Sequence, residues 1–220
     1  MEGVPLLDWT VLLVVLPRMS STEFLIGVRT AKCVVLAANA RVFTGGGAVA
    51  AVNDEDKSFR LGEKIVMVIQ GEGGDAVQFG DFIAKNLQLY KMRNGYELGP
   101  QSVGHYVRRQ IAEGLRSRDM SVVWMLIGGF DDAEKKTYLY GIDYLGTKFD
   151  APYIMQGFGG KFGYAIFDRT YKQDWTEVDA VEAVQNVIRE VEQRFVVNLG
   201  AYQLQVIDES GVRKLPTFKP

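Results

Sequence analysis

Apolar residues along this chain come first in short branched runs, then at helical spacing, and that alternation is run through twice. Phe24-Leu25-Ile26-Gly27-Val28-Arg29 and Cys33-Val34-Val35-Leu36-Ala37-Ala38 are two apolar runs around a turn at Thr30-Ala31-Lys32, the second closing on Asn39-Ala40-Arg41. Phe59-Arg60-Leu61 and Ile65–Ile69 read as strands from their branched and aromatic content. Between Asp75 and Met92, Val77, Phe79, Phe82, Ile83, Leu87 and Tyr90 form a helical stripe that Asn94-Gly95 ends. A second helix is predicted after Pro100, with Val103, Val107, Ile111 and Leu115 on one face.

Strand character returns at Val122–Ile127 and Thr137–Ile142, which predicts a hairpin across Asp131-Asp132. Helices are predicted over 160–168 and 176–195, the second carrying Val181, Val184, Ile188, Val191 and Phe195 on one face. Thr176 is its expected cap, with Asp179 in the acid-favouring first turn. Tyr202–Ile207 and Val212–Leu215 close the pattern as strands around Gly211. Two helix pairs alternating with antiparallel hairpins predict an α+β fold, two packed sheets with a helical layer outside each. With no repeat, low-complexity stretch or long linker, residues 23–220 read as one domain behind an extension or pro-segment at 1–22.

Within that extension, Val11–Leu16 is apolar, but Asp8 and Pro17 bound it well short of the ~20 residues that span a bilayer. Glu2 and Asp8 stand where a signal peptide would be basic, and Ser20-Ser21-Thr22 is a poor cleavage site. Met19 is an alternative start. Composition fits an ordered globular protein, at 47% hydrophobic and 24% charged residues. A net charge of −2 lacks the basic footprint of a nucleic-acid partner. Cys33 is the single cysteine, so no internal disulfide forms, which fits a reducing compartment.

Several motifs invite chemistry and read better as structure. Gly71-Glu72-Gly73-Gly74-Asp75-Ala76 matches a dinucleotide fingerprint, yet a helix follows its helix where a parallel strand should return. Asp75 also puts negative charge where a pyrophosphate would sit. Asn53-Asp54-Glu55-Asp56 lacks the alternation of a calcium loop, and Gly45-Gly46-Gly47 lacks the lysine of a phosphate loop. His105 is the only histidine, which excludes multi-histidine metal sites, and its default is a helix surface.

The opening strands through Arg41, the turn at Gly71–Asp75 and Asp168-Arg169 before the last helix resemble proteasome β subunits, over roughly residues 23 to 215. The string Leu87–Leu98 (LQLYKMRNGYEL), with Arg116-Ser117-Arg118 and Ile142–Lys148, is similar to the eukaryotic type at the fourth β-ring position, a non-catalytic one. The resemblance implies the four-layer α-β-β-α sandwich of N-terminal-nucleophile hydrolases and no cofactor or metal. It implies partners among α-ring and other β subunits in a four-ring, twenty-eight-subunit particle of cytoplasm and nucleus, with no nucleic acid or membrane partner.

Active members attack with the hydroxyl of an N-terminal threonine whose own amine serves as base. Aligned through Gly27 and Arg41, that nucleophile falls on Glu23 and the catalytic aspartate on Asn39. The supporting serine falls on Phe158, while Lys57, after a two-residue insertion, and Asp174 match retained remnants. Active members self-cleave after glycine, whereas Ser21 precedes Thr22 here. The resemblance therefore implies a structural ring subunit; the alternatives are an active threonine-type endopeptidase subunit or a self-standing enzyme of the same fold. It also places the first helix pair against the α ring and the later pair against the opposing β ring. Tyr90, Met92, Tyr96 and Leu98 make the first connection unusually apolar and are interface candidates.

Overall fold

The structure, a computed structural model, describes residues 22–44, 49–52, 54–71, 73–117 and 120–220. Strands β1 (Leu25–Arg29) and β2 (Val34–Asn39) form the predicted hairpin. A two-stranded ribbon follows, β3 (Val42–Thr44) with β4 (Val49–Val52). Next come β5 (Ser58–Gly62), β6 (Ile65–Gly71) and helices α1 (Gly73–Asn94) and α2 (Pro100–Gly114). The second half runs β7 (Val123–Asp131), β8 (Lys136–Ile142), β9 (Lys148–Asp150), β10 (Tyr153–Gln156), α3 (Gly160–Thr170), α4 (Glu177–Arg194), β11 (Tyr202–Asp208) and β12 (Gly211–Lys214).

Two five-stranded antiparallel sheets result, ordered β10-β1-β2-β11-β12 and β5-β6-β7-β8-β9. Side-chain alternation sorts their residues into three cores. Leu25, Val34, Leu36, Val66, Val68, Leu126, Leu139 and Ile154 meet between the sheets. Ile26, Val28, Val35 and Ala37, on the other face of β1 and β2, pack with Phe167, Val184, Ile188 and Val191 of α3 and α4. Met67, Met125 and Ile127 pack with Phe79, Ile83, Val103 and Val107 of α1 and α2. The layers are therefore helix, sheet, sheet, helix. Gly27 sits where the sheets come closest: a Cβ there would lie 2.9 Å from Leu139 Cδ1 and 3.0 Å from Leu36 Cδ2.

Several element boundaries lie outside the sequence reading, while α4 begins and ends one residue inside it. β7 runs to Asp131 because the hairpin turn is tighter than expected, with Lys135 at φ 50°. Gly95, at φ +79°, lies just beyond the end of α1. α4 opens on the expected cap, with Thr176 accepting from Asp179 N–H and the Asp179 carboxylate accepting from Thr176 N–H. Its buried face is Ala180, Val184, Val187, Ile188 and Val191, so Val187 belongs to it and Val181 stands at its rim. β3, β4, β9 and β10 were not foreseen. All four are short, and β9 and β10 are edge strands of three and four residues.

β6 and β7 are antiparallel neighbours, so the glycine-rich turn does not sit in a parallel β-α-β unit. Gly71 instead ends β6, and Asp75 ties the first turn of α1 to the start of β7 by accepting from Val122 N–H at 3.1 Å. His105 is exposed on α2. Asp56 accepts from the N–H and hydroxyl of Ser58 and bonds Lys214, a structural clasp between β5 and β12. Residues 1–21, Gly45–Gly47, Asn53, Glu72 and Arg118 lie outside the described residues. Among those described, no helix is long and apolar enough to cross a membrane and no group of three or more His, Cys, Asp or Glu residues could hold a metal ion.

Removing the cap should cost far less than opening the inter-sheet core. Thr176→Ala is expected to lower stability by about 1 kcal/mol, and Leu36→Ala, fully buried, by roughly 2–5 kcal/mol. Urea unfolding of the two variants checks the order; a larger loss from the cap would contradict it.

Candidate functional site

Alternation along β1 puts Glu23 on the inter-sheet face, two residues ahead of Leu25, and Lys57 immediately precedes β5 in the other sheet. Their side chains meet between the sheets, with Lys57 Nζ 3.0 Å from Glu23 Oε2 and each side chain 5% exposed. Lys57 Nζ also donates to Asn39 Oδ1 at 3.1 Å and to the Arg41 carbonyl at 2.6 Å. The pair thus pins the start of the first sheet to the start of the second.

Asn39 serves this cluster with both ends of its amide. Oδ1 accepts from Lys57 and, at 3.0 Å, from the N–H of Phe24. Nδ2 donates to the carbonyls of Arg41 at 2.9 Å and Leu199 at 3.4 Å. An aspartate at this position would aim lone pairs at those two carbonyls, so the neighbourhood is built for an amide. Arg41 extends the network by donating to Asn198 O and Oδ1, both at 2.8 Å.

β10 pairs with β1 up to Gln156, which carries the next residue, Gly157, onto Glu23. Gly157 has φ +89°, and a Cβ there would fall 1.8 Å from the Glu23 carbonyl oxygen. Buried Gln70, with its amide oriented to satisfy both neighbours, donates to the Glu23 carbonyl and accepts from Gly157 N–H, each at 3.2 Å. Phe158 follows and stacks on Phe195 with ring centroids 5.2 Å apart. Sequence reasoning named Phe158 here, missed Gln70 and read Phe195 only as a helix-face residue. Gln70 was legible as the polar member of the Val66, Val68 face, whereas the pairing of residues 158 and 195 carries no local signal.

Asp174 does not belong to this group. The neighbouring Gln173 accepts at its carbonyl from Ala31 N–H, at the turn of the β1–β2 hairpin. Eight residues of mostly extended chain, roughly 25 Å at ~3.3 Å each, separate that turn from Glu23. Asp174 is exposed there. The displacement follows from α3 and α4 running antiparallel, which puts their connection at the far end of the sheet from the 157–159 segment.

Burial pushes the Glu23 carboxyl above its ordinary range and the Lys57 ammonium below its own, while their mutual attraction opposes both. The Phe43 N–H gives Glu23 a further hydrogen bond. Beside the pair lies a cavity of about 20 Å³, lined by Glu23, Lys57, Phe59, Ile69 and Val77 among others, room for about one water. The functional group at position 23 is thus a carboxylate bound to a cation, and it offers no hydroxyl.

Of the apolar connection, Tyr90 and Tyr96 meet edge to face at 5.6 Å and share a 2.7 Å hydroxyl contact. Met92 and Tyr96 remain 75% and 58% exposed. Leu98 packs against the core under α1 and α2, so it supports the fold. Lys91, bonded to Glu63 and Glu97 at 3.1 and 2.8 Å, fixes the connection to the β5–β6 turn.

A family profile described as "Proteasome subunit" matches residues 20–207. A nematode protein, "Proteasome subunit beta type-2" of Caenorhabditis elegans, is 48% identical over 194 residues, covering 88% of this chain and 97% of that protein. The chain belongs to the proteasome β-subunit family. "Proteasome subunit beta type-4" of Saccharomyces cerevisiae is 34% identical over 198 residues, 90% of this chain and 98% of its own. "Proteasome subunit beta type-2-A" of Arabidopsis thaliana is 35% identical over 161 residues, 73% and 78% of the two chains. The proteasome subunit match begins within four residues of Glu23, so the ion pair lies inside the family domain.

Breaking this buried pair should be costly, and deleting it whole should not. Lys57→Met removes what holds the Glu23 carboxyl down, so its folded value rises further above the unfolded one. Such a group contributes stability below the unfolded value, near ~4.3, and loses it as pH rises through the folded one. Lys57→Met should therefore cost roughly 3–5 kcal/mol at neutral pH and progressively less as pH falls toward the ordinary carboxylate range. Glu23→Met with Lys57→Met should lie within about 1 kcal/mol of the parent, since Asn39 Oδ1 and the Arg41 carbonyl keep their other donors. Chemical denaturation across pH checks both; a pH-independent loss in the single variant contradicts the assignment.

Proposed function

We propose that this chain is a non-catalytic structural β subunit of the 20S proteasome core particle, at the fourth position of the β ring. Its task is to help wall the proteolytic chamber used for ATP- and ubiquitin-dependent protein degradation. The observation that carries this reading is the Glu23–Lys57 bond. A hydrolase of this kind needs a hydroxyl nucleophile and a free base at one point, and here a carboxylate occupies that point and neutralises the lysine. Asn39 bonded through its amide and the Phe158–Phe195 stack agree with it, since neither offers the acid or hydroxyl of an active site.

The helix-sheet-sheet-helix order supports kinship with N-terminal-nucleophile hydrolases. The partners under this reading are α-ring and other β subunits in a four-ring particle, and the setting is cytoplasm and nucleus. The exposed pair Met92 and Tyr96 is the part of the α1–α2 connection free to contact a neighbouring subunit.

Two measurements test the proposal. Gel filtration of the native protein should find it in a large assembly; a lone, hydrolytically active species near 24.6 kDa would favour a self-standing enzyme. An electrophilic probe that labels the active subunits' threonines should leave this chain unmodified, both as found and as Glu23→Thr. Labelling at position 23 in the variant would mean that Lys57 alone suffices for activation.

The connection is tested separately. Met92→Asp with Tyr96→Asp should reduce incorporation into full-size particles several-fold without changing the circular dichroism of the chain, because neither side chain is buried. Wild-type incorporation would remove the connection from the assembly contacts.

A further inference from the structure

Helix α1 is apolar on two faces. Phe79, Ile83 and Leu87 turn inward and pack on the core under α1 and α2. Phe82, Leu89 and Met92 are exposed on its outer side, and Tyr96 stands just beyond the helix end. The step of seven from 82 to 89 and of three to 92 keeps the helical members in one stripe. Lys85 lies in the same stripe, bonded to Asp81 at 2.7 Å. Met92 is the most exposed member, at 75%. Among the described methionines, Met67 and Met125 are fully buried and Met155 nearly so, while Met120 is 43% exposed. An oxidant in solution therefore meets the sulfur of Met92 first.

We infer that Met92 is an oxidation site whose sulfoxide keeps the chain out of the assembled particle, a control that rests on the ring-subunit reading above. Hydrogen peroxide supplies the oxygen. The thioether sulfur attacks one peroxide oxygen and the O–O bond breaks. Sulfur gives up two electrons as the S–O bond forms, and the other oxygen leaves as water. Thiol-dependent sulfoxide reduction reverses the step. A thioether adapts to an apolar partner surface, whereas a sulfoxide oxygen requires a donor. Water provides one in the free chain. Once the stripe is covered, an unpaired sulfoxide oxygen among Phe82, Leu89 and Tyr96 is unfavourable. Nearby donors are engaged: Lys85 by Asp81, Lys91 by Glu63 and Glu97, and the Tyr96 hydroxyl by that of Tyr90. Arg93 leaves the helix about 100° further round. The control acts in one direction, because a sulfur covered by assembly no longer meets the oxidant.

The test uses the full chain in cells, carrying Met120→Leu so that Met92 is the one exposed methionine among the described residues. Cells are pulsed with hydrogen peroxide, extracts are separated by gel filtration, and peptide mass spectrometry measures Met92 sulfoxide in each fraction. The oxidised fraction should be at least fivefold higher in small species than in full-size particles. Without peroxide, Met92→Gln should lower incorporation several-fold, since its amide is polar at the same place. Met92→Leu should incorporate normally and lose the sensitivity to peroxide. The inference falls if the sulfoxide divides evenly between fractions, if Met92→Gln enters particles at the parental yield, or if Met92→Leu stays as sensitive as the parent. A parental chain absent from every large species before the pulse would sink the ring-subunit reading, and the inference with it. Catalysis is untouched by these outcomes and is tested by the probe on Glu23→Thr.

Discussion

The contact between the two sheets governs the rest of this molecule. β1 and β2 lie at the centre, buried on both faces, and must satisfy a helical layer and a second sheet at once. That demand explains their continuous apolar character where a half-exposed strand would alternate. It also explains Gly27, since any side chain there would press on Leu139 and Leu36. The close approach brings the first residues of one sheet against the first residues of the other, and the polar cluster forms at that meeting.

Charge in such a place is energetically unfavourable in itself. Burial opposes ionisation of both Glu23 and Lys57, and only their contact, with the hydrogen bonds around them, offsets it. A pair of this kind adds little net stability, but it penalises arrangements in which one partner is left alone. Its effect is therefore positional: it fixes how the β1 end sits over the β5 end. Asn39 then joins both to the β2–β3 corner through a neutral amide. The cluster has the connectivity of a reaction centre and the chemistry of a structural joint.

The long elements were legible because their periodicity is strong. Ile83 and Leu87 in α1, or Val184, Ile188 and Val191 in α4, sit on the faces that the pattern assigned. β9 and β10 escaped because three or four residues at a sheet edge cannot establish a period. At the site, Glu23, Asn39 and Lys57 could be found by matching a family pattern through the opening hairpin. Asp174 was misplaced because a linear match past a helix says nothing about which end of the sheet the next turn reaches. Phe195 was read only as a helix-face residue. Its partner Phe158 lies across the antiparallel helix pair, a relation that exists only after folding. Leu98 looked like its exposed neighbours in composition, and only the packing of α2 separates it from Met92.

The far side of the first sheet has its own significance. β11 joins β2 on one side and β12 on the other, but β12 covers only Gln205–Asp208. Beyond it the chain returns, and Phe218 pairs with Tyr202 through both backbone hydrogen bonds while Arg189 of α4 rests on its ring. The outer edge of β11 is thus sealed in two instalments, the second held by a single aromatic residue. An unsealed strand edge is a template for foreign strands. Because Phe218 follows in sequence everything it closes, that edge cannot be sealed during synthesis until Phe218 itself has been made. Protection against aggregation here is a matter of timing as much as of contact.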